Sequence, residues 1–137
     1  MYVAPTYRLT HGATLLMLEA AVAKAEELGQ PQCIVIVDQS GETLAQLRMD
    51  GAKFLSLKSA RAKARTAASI GQPSDSIPDA VGPQIAAATQ GEITRLAGGL
   101  PIRAHGELLG GIGVGSGSPA QDVEVAQAAL ASLASQV

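Results

Sequence analysis

The stretch GGIGVGSGSPAQD, residues 110–122, constrains the fold of this chain more than any other. A glycine run of this kind is either a nucleotide cradle or a tight strand and turn. The dinucleotide fingerprint needs Gly-x-Gly-x-x-Gly between a strand and a helix, with an acidic residue about twenty positions on. Here Gly111 and Gly113 are followed by Ser116, so the third glycine is missing, and the run lies too close to Val137 for a second strand to follow. A phosphate loop would end in Gly-Lys-Ser/Thr, which is also absent. Ser118-Pro119-Ala120-Gln121 instead has the form of a capping box with proline at the first helical position. The glycines therefore end a strand, and the serine starts a helix.

The rest of the chain supplies partners for that strand and helix. Leu15, Leu18, Val22 and Ala25 fall at three- and four-residue spacing, which predicts a helix over 10–28 with Gly29 as its stop. The apolar run from Cys33 to Val37, a polar turn at Asp38 to Gly41 and a strand from Thr43 to Met49 form a hairpin. An apolar run without alternation implies cover on both faces, by a helix on one side and another subunit on the other. Residues 52–70 predict a second helix, with Leu55, Ser59, Ala62 and Thr66 on one face. Residues 72–91 hold three of the seven prolines and predict short helical pieces broken at Pro78 and at Gly82–Pro83, suited to a lid or a subunit contact. GLPIRAH and ELLGGIGVG form a second hairpin turning at His105–Gly106, with Pro101 suited to an edge position. In the last helix, Val123, Ala126, Leu130, Leu133 and Val137 make the packing stripe. With every strand pair a hairpin, the expected class is α+β: a profilin-like antiparallel sheet with helices packed on it, in one domain over 9–137 after an N-terminal arm over 1–8.

Composition narrows the function. Aromatic residues make up 2% of the 137 residues, so the core is assembled from Ala, Leu, Val and Ile. The net charge is −2, and six of the ten basic residues lie between Arg48 and Arg65. Without a wide basic footprint or aromatic platforms, nucleic acid is not the expected partner. The N-terminus MYVAPTYRLT has neither a charged n-region nor an apolar h-region, and no segment approaches the roughly 20 apolar residues of a membrane span. The expectation is a cytoplasmic protein with no membrane partner.

Few side chains carry chemistry. His11 and His105 are the only histidines, and no HxH, HxxxH or CxxC spacing offers a dedicated metal site. A single histidine can still serve as a haem axial ligand. His105 also reads as an exposed turn residue, and His11 as a helix-start residue facing either solvent or an interface. Arg48-Met49-Asp50-Gly51 ends a strand and leads into the basic helix. It reads as an anion site completed by Lys63 or Arg65, or as a turn beside a solvated helix face. Cys33 lies in an apolar run, where a buried and inert thiol is expected.

CIVIVDQSGETLAQLRMDGA, SARAKARTA and LAGGLPIRAHGELLGGIGVGSGSPAQDVEVA together resemble the GlcG/HbpS family, over about Leu9 to Ala129. That group also takes in the C-terminal domain of PduO-type adenosyltransferases. The resemblance implies a profilin-like subunit that assembles into dimers and up to octamers, with pockets between subunits. It places Asp50, Gly51, Lys63, Thr66, Gly98, Gly99 and Pro101 along such a pocket, with Arg48 beside them. It implies a small-ligand-binding protein with an accessory role in catabolism or haem handling. Haem is the named ligand, and His11 or His105 its axial candidates. The basic helix would receive haem propionates or, equally, the carboxylate of a small catabolic intermediate. The alternative is a small lyase, isomerase or hydrolase acting on such an intermediate, with Asp50, Lys63 or His11 supplying acid–base chemistry.

Overall fold

The computed structural model describes all residues, 1–137. Its elements are α1 (His11–Leu28), β1 (Cys33–Asp38), β2 (Thr43–Arg48), α2 (Ser56–Ile70), a 3-10 turn at Ser74–Ser76, α3 (Gly82–Ala88), β3 (Gly99–Ala104), β4 (Glu107–Gly115) and α4 (Pro119–Ala134). The strands form one antiparallel sheet in the order β2-β1-β4-β3, so two sequential hairpins are joined through their inner strands. The class is α+β. β3 is an edge strand, which accommodates Pro101 without costing the sheet an interior hydrogen bond.

β1 is buried along almost its whole length because the chain's own helices cover both of its faces. Cys33, Val35 and Val37 pack against Ala60, Ala64 and Ala68 of α2. Ile34 and Ile36 enter the larger core with Met17, Ala21 and Ala25 of α1 and Val125, Ala126 and Ala129 of α4. This corrects the expectation that a second subunit covers one face of β1.

The glycine run is explained by the α2 layer. A Cβ at Gly113 would run into the carbonyl of Ala60, one at Gly111 into that of Ala64, and one at Gly99 into that of Lys63. Gly99 and Gly113 are register partners on β3 and β4. The glycines thus form a smooth track on which the α2 backbone lies directly, and the alanines of α2 complete the close approach.

Three helical stripes are rotated from their expected positions. In α1 the buried residues are Thr14, Met17, Ala21 and Ala25, while Leu15 is 56% exposed. α1 packs on α4 as well as on the sheet, and the small side chains take the closest approach. In α4 the buried set is Asp122, Val125, Ala126, Ala129 and Leu133, with Val137 exposed. The Asp122 carboxylate lies on that inward face, 3% exposed. α2 also turns a different face to the sheet: Ala60, Ala64 and Ala67 are fully buried, whereas Leu55 is exposed and Ser59 and Ala62 are half-buried. Gly82–Pro83 opens α3 rather than breaking a helix, with Pro83 in the first turn where its missing N–H costs nothing.

The local signals at element ends hold. Thr10 Oγ1 accepts from Ala13 N at 3.2 Å, and Gly29 closes α1 in the left-handed conformation at φ 67°. Ser118 and Gln121 form the reciprocal capping box. His105 and Gly106 turn the second hairpin with φ of 54° and 76°, the positive pair required by a two-residue type I′ turn.

Candidate functional site

The residues singled out from the sequence fall in three separate places. The first lies beneath the 94–99 loop. Lys63 is 5% exposed, and its Nζ donates to Asp122 Oδ2 at 3.0 Å and to the Val114 carbonyl at 2.8 Å. Gly98, at φ 119°, closes over this pair: a Cβ there would sit 2.6 Å from the Val114 carbonyl oxygen. Thr66 Oγ1 donates to the Ala62 carbonyl at 2.7 Å and accepts from Thr94 N at 3.0 Å. Ser74 Oγ accepts from Gly99 N at 2.9 Å and donates to the Leu96 carbonyl at 2.6 Å. Lys63, Thr66, Gly98 and Gly99 are therefore brought together, as posts that hold the loop, with their polar atoms turned inward.

The second place is a cavity of about 560 Å³ between α1 and the end of β2, floored by Val22, Ala25, Leu47 and Met49 and bordered by Glu26 and Asp50. Arg48 also borders it, yet Arg48 is the register partner of Cys33. Burial raises the Cys33 thiol pKa, and the Arg48 charge opposes the rise. The guanidinium therefore acts toward the α2 face of the sheet. Gly51, at φ 89°, packs beside Pro31. Asp50 is exposed here, while Lys63 is enclosed with Asp122, so the two do not share a cavity within one chain. Arg65, the other cation considered for an anion site, is held by Glu92 at 2.8 Å.

The third place is the end of the molecule where α1 begins and β3 turns into β4. The arm is pinned there: Gln39 Nε2 donates to the Tyr7 carbonyl at 2.5 Å, and Leu9 enters the core at 6% exposure. The Tyr7 ring stacks on the His105 imidazole with centroids 4.9 Å apart and planes 28° apart. Beside them lies a mainly apolar cavity of about 180 Å³ walled by Leu9, Ala13, Ala104, Leu109 and Leu133, with Arg8 and His105 also lining it. Thr10 borders the same cavity, so His11 and His105 belong to one end of the protein, and both are exposed. Neither imidazole has an ion-pair partner. No group of three or more His, Cys, Asp or Glu side chains is placed to hold a metal ion, and Cys33 is buried away from either histidine.

Asp122, Tyr7 and Arg8 were not among the residues chosen from the sequence. Asp122 carried a partial signal, an acid four residues before Ala126 of the apolar stripe in the last helix, although nothing in the sequence shows that Lys63 meets it. Tyr7 and Arg8 carried none, because the contact of Tyr7 with His105 spans most of the chain.

Fold and sites together define a small α+β domain with a rigid helix-on-glycine interior and its free polar groups at the surface. The sequence pattern of the family described as haem-degrading protein HbpS-like matches residues 9–131, and the chain belongs to that family. It is 35% identical over 122 residues to the corrinoid adenosyltransferase PduO of Citrobacter freundii, a match covering 85% of this chain and 36% of that protein. The chain thus spans about a third of the length of that relative. Among solved structures, the Klebsiella pneumoniae protein ORFY superposes with a TM-score of 0.91 at 31% identity, over 98% of this chain and 97% of that one. A PduOC:heme complex superposes with a TM-score of 0.86 at 30% identity, over 92% of this chain and 95% of that one.

Proposed function

We propose that this chain is the subunit of a cytoplasmic homo-oligomer, between dimer and octamer, that binds haem and serves an accessory role in haem handling or catabolism. The carrying observation is the free imidazole of His105 at the mouth of an apolar cavity that Arg8 also lines. Haem needs an axial nitrogen, an apolar surface and cations for its propionates, and this end of the molecule offers one of each. The side chains fit the group in kind. In volume, about 180 Å³ falls below the roughly 300–1,000 Å³ of pockets that enclose a small molecule. One chain would therefore hold an edge of the porphyrin, and a second copy would cover the remainder. His105 or His11 would supply the axial nitrogen, the apolar wall would exclude water, and Arg8 would orient a propionate. The bound haem would supply an iron centre open to redox or ligand chemistry. Family membership and the haem-bound relative at 30% identity support the same reading.

Acid–base catalysis on a carboxylated intermediate has less support. The Lys63 amine is committed to Asp122 and Val114, and Asp50 borders a different cavity. A haemin titration followed by visible absorbance, with sedimentation of the loaded protein, tests the proposal. Saturation at one haem per chain or per pair of chains, in an oligomeric species, is the expected result. Non-saturating binding would remove haem as the ligand.

A further inference from the structure

We propose a second small-molecule site, on the opposite side of the sheet from the histidines, for an amphipathic monocarboxylate. A cavity of about 450 Å³ lies on the outer face of α2, lined there by Leu55, Lys58, Ser59 and Ala62, the spacing of one helical face. Ala86 of α3 and the 91–96 loop form its other wall. Its volume is within the range of pockets that take small ligands, and its lining is mainly apolar. Leu55 and Leu96 are 68% and 56% exposed, so apolar surface that a ligand could cover faces water.

The wall is already built. Ile93 N donates to Thr89 Oγ1 at 3.0 Å, Thr94 N to Thr66 Oγ1 at 3.0 Å, and Leu96 N to Thr94 Oγ1 at 3.2 Å. The Leu96 carbonyl accepts from Ser74 Oγ. A loop tied to its surroundings at three points and braced by a fourth bond within itself loses little freedom when a ligand enters.

The charge pattern identifies the ligand class. Of the charged groups on and around this wall, Arg65 is paired with Glu92 and Arg95 with Asp79. Lys58 is the only charged residue lining the cavity, and it has no ion-pair partner. No carboxylate lines it. One free ammonium at the rim of an apolar cleft matches a single carboxylate on an apolar body, with the body seated against Leu55, Ala62 and Ile93. This site stands independently of the haem proposal, because the two cavities are walled by helices on opposite faces of the sheet.

Calorimetric titration of the full chain with decanoate tests the assignment, with decanol as the uncharged probe of the same length. Saturable binding of one decanoate per chain is expected, about tenfold tighter than decanol and about tenfold weaker in Lys58→Met, the loss of one charge-assisted hydrogen bond. Ala62→Leu, which fills the cavity, should abolish binding while thermal unfolding remains cooperative, and His105→Ala should leave decanoate affinity unchanged. Equal affinity for decanol and decanoate, or no effect of Lys58→Met, would overturn the proposal. So would an absence of decanoate binding together with a change of oligomeric state in Ala62→Leu, which would assign this face to a second copy of the chain.

Discussion

Lys63 of α2 and Asp122 of α4 form a buried ion pair at 3.0 Å, with side chains 6% and 4% exposed, and the Val114 carbonyl of β4 completes the lysine's shell. The pair ties α2 to the consecutive β4 and α4, whose contributing residues lie 51 and 59 positions further along the chain. Removing one partner of a buried pair costs more than the pair contributes, because the remaining charge keeps its desolvation penalty. Lys63→Met should therefore destabilise the fold by about 3–5 kcal/mol in urea unfolding. Asp122 Oδ1 also accepts from Gly117 N at 3.0 Å. The double variant Lys63→Met/Asp122→Asn keeps that acceptor and should recover much of the loss. If both variants unfold at the same urea concentration, the stranded carboxylate is not the cause.

The glycine track makes a contrasting pair of predictions. Gly113→Ala forces a methyl group into the Ala60 carbonyl, a backbone atom with no freedom to turn aside. Overpacking of this kind costs about 1–3 kcal/mol and occasionally more, so Gly113→Ala should lie at the upper end or fail to fold. Gly12, in the first turn of α1, has no atom nearer than 3.6 Å to an added Cβ. Gly12→Ala should raise stability by about 0.5–1 kcal/mol through helix propensity. Thermal unfolding of the two variants side by side reads both effects.

Cys33 gives a pH signature. Burial is the larger influence on its thiol and raises the pKa, while Arg48 opposes it more weakly. The neutral thiol is favoured in the folded state, so its contribution to stability is full below the unfolded pKa of about 8.5 and is lost as pH rises through the higher folded value. Wild type should lose stability above about pH 8.5 relative to Cys33→Ala. Thiol labelling at pH 8 should be slow in the native protein and fast in urea. Rapid native labelling would contradict the burial.

Most of the fold was legible in the sequence because its signals are local. Thr10, Gly29, Ser118, Gln121 and the His105–Gly106 turn each specify an element end through atoms a few residues apart. The partner of each buried face was less legible. Leu15 fits a helical stripe as well as Met17 does, and only the packing of α1 on α4 selects Met17. The glycine run was read as a strand ending, while its principal role, admitting the α2 backbone, depends on an element some fifty residues earlier. Lys63 was chosen as a free cation because the sequence does not show that Asp122 reaches it. His105 was placed in its turn by sequence, but the Tyr7 ring against it comes from an arm whose residues carry no periodic signal.

The central claim, that this end of the molecule holds haem through an imidazole, is tested most directly by titrating haemin into His105→Ala, His11→Ala and wild-type protein and following the Soret band. The account predicts a saturable band shift in wild type that one of the two substitutions abolishes while the other leaves it unchanged. The same saturating shift in all three proteins would contradict it, placing the haem iron on another ligand or the porphyrin on another surface.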